Sequence, residues 1–205
     1  MLRVRGNTMQ ANDPLSEIIV VSGLPRSGTS LMMKMLAAGG LPLLTDGLRE
    51  PDDDNPEGYF ELEQVKALAT GDQAWLAEAQ GRTVKIISSL LRFLPATYAY
   101  RVILMQRRMS EILASQRRML IRRGEPADTL PDAKLAAISA KHLQQVQAWL
   151  AAQPNIAGLT VDYNALVADP PQHAALVNTF LGERLNVVAM CAAVHPQLYR
   201  NRVVG

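Results

Sequence analysis

The chain has one cysteine in 205 residues, Cys191. No intrachain disulfide can form, which fits a reducing compartment and gives the expectation of a cytoplasmic protein. Cys191 falls in the apolar stretch Val187–Val194 and reads as a small buried core residue. No run of about 18 apolar residues occurs, so no membrane span is expected. Residues 1–14 are polar and lack the long apolar centre of a secretory signal. We therefore expect a flexible leader over 1–16 and a single domain over 17–205. An excess of either charge is also missing. Lys and Arg number 21 against 19 Asp and Glu, a net +2. That balance points to neither nucleic acid nor a membrane surface, although a local arginine cluster would still serve an anionic small molecule. The three histidines and the cysteine show no metal-ligand spacing, so no metal site is expected. Internal repeats and low-complexity tracts are absent too.

What remains is enough chain for one α/β domain with a full core. Apolar runs that read as strands lie at Glu17–Val21, Thr83–Ile87, Arg101–Gln106 and Gly158–Val161. Helical patterns separate them at Thr29–Ala38, Glu61–Ala79 (broken near Gly71), Ser110–Arg123 and Pro131–Ala152. Two shorter helices follow at Pro171–Leu181 and Leu185–Val194. On the long helix, Leu135, Ile138, His142, Val146 and Trp149 form one stripe, with His142 at the edge of the core. Strands alternating with helices predict an α/β fold of three layers, a central parallel sheet flanked by helices, with ligands at the carboxyl ends of the strands. The segment Leu41–Tyr59, with three prolines and the acidic run Asp52, Asp53 and Asp54, reads as an ordered loop or lid. Its charge run, and Arg117, Arg118, Arg122 and Arg123 on the third helix, read as solvated faces.

The first strand runs into Gly23-Leu24-Pro25-Arg26-Ser27-Gly28-Thr29-Ser30 and then a helix. Backbone N–H groups of such a turn converge with those of the helix start, where the dipole favours an anion. The glycine spacing matches the phosphate-binding loop G-x-x-x-x-G-K-[ST] except at one point. Thr29 occupies the lysine position, and a cation appears three residues earlier as Arg26. A second anion site is expected where the third strand ends. Arg107 sits there, and Ser115 lies eight residues on, in the following helix. A forked guanidinium and a neutral hydroxyl facing one ligand suit a second phosphate.

Three ordered blocks resemble the sulfotransferases that use 3′-phosphoadenosine 5′-phosphosulfate (PAPS). They are Pro25-Arg26-Ser27-Gly28-Thr29-Ser30, the pair Arg107 and Ser115, and Val161–Pro170 continuing to Phe180-Leu181-Gly182. The P-R-S-G-T loop is nearer the bacterial and Golgi-type members than the cytosolic ones, and the fold so implied is of the P-loop type. The resemblance implies that Pro25, Arg26, Ser27, Gly28, Thr29 and Ser30 hold the 5′-phosphosulfate. It implies that Arg107 and Ser115 grip the 3′-phosphate and that Tyr163 lies near the nucleotide. Arg200, in a late basic stretch, is a further candidate to return over it.

For catalysis the resemblance points to Arg26 first and to Lys85, in the second strand where the family often places a lysine, second. Fixed cations there would stabilise the charge that develops as an acceptor hydroxyl or amine attacks sulfur. The histidine that cytosolic members use as base would fall at Ile87, so that assignment fails. Other branches use a carboxylate after the first helix. Glu61, delivered by the turn Asn55–Glu61, ranks first, then Glu50, then Asp46. The implied partners are PAPS, released as the bisphosphate PAP, and a small-molecule, lipid or glycan acceptor, with no metal. A homodimer completing a small acceptor pocket is the oligomer expected.

Two other readings compete. A Mg-ATP kinase on the same fold would need an acid at a strand end, and Asp162 is the one that resembles it. A degenerate sulfotransferase would bind the nucleotide and transfer nothing.

Overall fold

The structure, a computed structural model, describes residues 16–50, 52, 58–127 and 130–195. The leader expected over 1–16 (except Ser16), and Asp53, Asp54 and Arg200, lie outside the described residues. Four strands, β1 (Ile18–Gly23), β2 (Thr83–Ile87), β3 (Tyr100–Gln106) and β4 (Ile156–Asp162), form one parallel sheet in the order β2-β1-β3-β4. Among the described residues the α-helices are α1 (Thr29–Ala38), α2 (Leu76–Ala79), α3 (Met109–Arg122), α4 (Asp132–Ala152), α5 (Tyr163–Ala168), α6 (Pro170–Phe180) and α7 (Val187–Ala192). This is the expected α/β architecture.

The unbroken apolar run of β1 follows from its place. It is a central strand, so both of its faces are covered and every residue from Ile18 to Gly23 is buried. Ile19 and Val21 join a core built with α1, α6 and α7, while Ile18 and Val20 join a second core on the opposite face with α2, the 3-10 turns and the end of α4. β4 is an edge strand and only Val161 is buried.

Several local expectations need correction. Glu61–Ala79 breaks at Gly71 as expected, where a φ of 91° needs a glycine, but its first piece is a 3-10 helix over Glu63–Thr70 and its second, α2, spans only Leu76–Ala79. Of the stripe on α4 only Val146 is buried, and Leu150, outside the stripe, is buried beside it. Ile138 is 53% exposed. Cys191 is half-buried against the core rather than inside it. Helix α5 and the 3-10 turn Ser88–Phe93 were not foreseen. His142 stands at the core edge as expected and is 2.8 Å from Ser88 Oγ.

The sheet order positions the site. β1 is followed by β2 on one side and β3 is followed by β4 on the other, so the chain leaves the adjacent ends of β1 and β3 in opposite directions. Gly23 of β1 is level with Met105 of β3. The crevice that opens at such a switch point is the standard ligand site of parallel sheets.

Candidate functional site

The turn after β1 is strained in a defined way. Arg26 has φ 74° and Gly28 has φ 99°, and the Ser27 N–H closes the turn on the Leu24 carbonyl at 3.1 Å. A left-handed arginine costs on the order of 1 kcal/mol or more and persists only where its surroundings fix it. Here they do. The Arg26 guanidinium Nε donates to Ser115 Oγ on α3 at 2.8 Å. Gln116 Nε2 donates to the Pro25 carbonyl at 3.3 Å. Arg107 Nη1 donates to the Arg26 carbonyl at 3.3 Å. The structure thus brings Arg26, Arg107 and Ser115 together, although 89 residues separate the ends of that set. Gln116 was missed by the sequence reading, and nothing in its surroundings in sequence marks it.

Two glycines make close approach possible. A Cβ at Gly23 would stand 2.3 Å from Ser27 Oγ, and one at Gly28 would stand 2.2 Å from Cδ2 of Tyr163. Ser27 is accordingly tucked beneath the turn, 1% exposed, with its hydroxyl finding no partner among the described residues. Its side chain serves as a corner piece of the loop. The Tyr163 ring fills the space between Gly28 and the Arg107 guanidinium, whose Cζ is 4.6 Å from the ring centre. Thr29 and Ser30, half-buried, open α1 behind Gly28.

Lys85 enters from β2. Its ammonium is 3.4 Å from Ser30 Oγ and 3.6 Å from Glu61 Oε1, and it donates to the Tyr59 carbonyl. The backbone of Phe60, at φ 52°, turns the chain there. Burial pushes the Lys85 pKa down to about 8, against a pull upward from Glu61. Glu61 also accepts from Arg49 at 3.1 Å, and the Arg49 Cζ stands over the Tyr59 ring, 3.2 Å from its centre. Arg49 was not singled out from sequence.

The three candidate carboxylates separate clearly. Glu61 lines a cleft of about 200 Å³ with Thr45, Arg49, Tyr59 and Phe60, and lies within reach of Lys85. Glu50 and Asp46 line the same cleft and are exposed. Asp46 has both oxygens occupied by backbone N–H groups, of Leu48 at 3.0 Å and of Glu63 at 2.5 Å. Those bonds hold its pKa below the ordinary 3.8, which makes it a staple of the turn and a poor proton acceptor. Asp52 is not simply solvated: it accepts from the Tyr59 hydroxyl at 2.6 Å.

Glu111 was missed altogether. It is fully buried, and it joins Arg107 (Nε to Oε2, 2.8 Å) to Asn164, whose Nδ2 is 3.0 Å from both of its oxygens. The i,i+4 spacing from Arg107 is the one signal that pointed to it.

No family model matches the chain, and no curated protein matches it. Solved structures do. A sulfotransferase domain from the olefin synthase of Synechococcus PCC 7002 superposes over 92% of this chain and 88% of its own, with a TM-score of 0.55 and 17% identity. The fold is that of a sulfotransferase domain. A sulfotransferase domain from the curacin biosynthetic pathway aligns at 19% identity over 82% of this chain and 74% of its own, with a TM-score of 0.46. A sugar kinase from a Janibacter species aligns at 16% identity over 89% of this chain and 98% of its own, with a TM-score of 0.39. Within the sulfotransferase-type fold, the crevice between β1 and β3 carries Arg26, Arg107, Ser115 and Tyr163, while Lys85, Glu61 and the cleft lie on the β2 side. Among the described residues no cluster of His, Cys, Asp and Glu has the arrangement of a metal site, and no helix is long and apolar enough to cross a membrane.

Proposed function

We propose that the protein moves the sulfuryl group of PAPS to a hydroxyl or amine of a small-molecule, lipid or glycan acceptor. The observation that carries this reading is the meeting of Arg107 and Ser115 with the Arg26 turn at the β1/β3 switch point. That meeting supports two adjacent anion sites, as a doubly phosphorylated adenosine requires. The 5′-phosphosulfate takes the helix start from Gly28 to Ser30, and the 3′-phosphate takes Arg107 and Ser115. Arg26 then leaves Ser115 for the sulfuryl oxygens, which turns the hydroxyl of Ser115 to the 3′-phosphate.

The acceptor oxygen attacks sulfur while the bond from sulfur to the phosphate oxygen breaks. The acceptor proton passes to Glu61, and PAP leaves with the electron pair. Lys85 and Arg26 neutralise charge on the transferring group and the departing oxygen. Glu61 is preferred as base because it faces both Lys85 and the cleft. Asp162, the acid that a Mg-ATP kinase would need, instead caps α5 by accepting from the Ala165 N–H at 2.8 Å.

Titration calorimetry with PAP and with ATP, each with and without Mg²⁺, tests the reading. PAP is expected to bind tightly and without Mg²⁺. Binding of ATP that requires Mg²⁺, with PAP inert, would overturn it.

A further inference from the structure

Glu111 is a carboxylate with no exposure at all, in the first turn of α3. A buried charge is kept only where partners hold it, and this one is held by groups from two strand ends. From the end of β3, Arg107 donates through Nε at 2.8 Å, and its side chain is itself 8% exposed. From the end of β4, Asn164 donates through Nδ2 to both carboxylate oxygens at 3.0 Å. Asn164 in turn accepts from the Arg108 backbone N–H at 3.1 Å, which fixes its amide the right way round. Arg108 Nη1 stands 3.8 Å away at the open side.

Geometry does the rest. With Nε tied to Glu111, the guanidinium plane of Arg107 is set, and its Nη1 edge points to the Arg26 carbonyl. The Tyr163 ring holds the same guanidinium from the side. An arginine carries its specificity for phosphate in that fork geometry, so whatever fixes the plane also sets how well it reads a phosphate.

We propose that Glu111, steadied by Asn164, is a positioning residue that aims Arg107 at the 3′-phosphate and so sets the preference for a 3′-phosphorylated nucleotide. This rests on the donor assigned above. Glu111→Gln places an amide N–H₂ where Asn164 already donates, and removes the charge that orders Nε.

Calorimetry reads the ratio of affinities for PAP and for adenosine 5′-phosphate. Glu111→Gln should reduce that ratio by about tenfold, since a charge-assisted contact is misdirected rather than deleted. Asn164→Ala should reduce it by less, and thermal melting of each variant monitors folding. The decisive measurement is the same Glu111→Gln change in an Arg107→Ala background. If Glu111 acts through Arg107, the ratio there no longer responds to it. A merely structural role would weaken both nucleotides alike in both backgrounds, and that result overturns the proposal. Should Glu111→Gln fail to fold, Asn164→Ala with and without Arg107→Ala decides the matter by the same criterion. Wild-type protein that binds both nucleotides equally would sink the donor reading itself. A wild-type preference that survives Glu111→Gln would sink only the role of Glu111.

Discussion

Gly28→Ala is the sharpest probe of how the turn and the nucleotide crevice are joined. Two costs add. Gly28 has φ 99°, and an L-residue forced into that left-handed region loses about 1–2 kcal/mol. The new Cβ would also meet Tyr163 at 2.2, 3.0 and 3.1 Å, well inside a normal carbon contact of about 3.5–4.0 Å. Overpacking of this kind costs about 1–3 kcal/mol. The sum, about 2–5 kcal/mol, is a large part of a typical domain stability of about 5–15 kcal/mol. Urea unfolding of the variant beside wild type measures it. Because the displaced ring also supports Arg107, the variant should lose affinity for PAP more than for adenosine 5′-phosphate.

The two costs separate in a double-mutant cycle. In a Tyr163→Ala background the clash has no partner, so Gly28→Ala should cost only its backbone part, about 1–2 kcal/mol. A coupling of about 1–3 kcal/mol is therefore expected between the two positions. An equal cost in both backgrounds would show that the ring does not rest on Gly28. A cost below about 1 kcal/mol in wild type would refute the left-handed turn as well.

The buried Lys85 predicts a basic limb in the rate profile. Its pKa of about 8 means that kcat/KM should fall as pH rises through that value, because only the ammonium below it carries the charge that neutralises the leaving oxygen. Lys85→Met should remove the limb and lower turnover by about 10²–10³-fold, and a limb that persists would assign it to another group. Glu61→Gln should lower kcat by about 10²–10⁴-fold while PAP affinity stays near wild type. Unchanged turnover in that variant, with a loss in Glu50→Gln, would transfer the base to Glu50. Asp46→Ala should reduce stability by about 0.5–2 kcal/mol, as loss of a backbone cap does, with kcat intact in the folded protein. Its folded pKa lies below the ordinary 3.8, so the stabilisation is present above that value and disappears as pH falls through the lower folded one. Denaturation curves of wild type and variant should therefore converge in acid.

Much of this molecule was legible because its chemistry is local. Thr29–Ala38 and Thr83–Ile87 have the bounds that the apolar patterns and the glycine stop implied. The turn between Gly23 and Ser30 was legible because its glycines are dictated by contacts that only glycine permits. What sequence left out depends on distant packing. The stripe on α4 has a helical period along its length, yet period says nothing of which turns of a helix are covered, and Ile138 ends up exposed. Glu111 shows the same limit from the other side. A glutamate in the first turn of a helix ordinarily stabilises the dipole from solvent. Here β4 ends beside β3, so Asn164 arrives 53 residues later to close over it. An acid in the first turn reads as solvated until the neighbouring strand end is known. The residues that set a guanidinium's aim are thus less visible in a sequence than the guanidinium itself, because their partners are chosen by strand order.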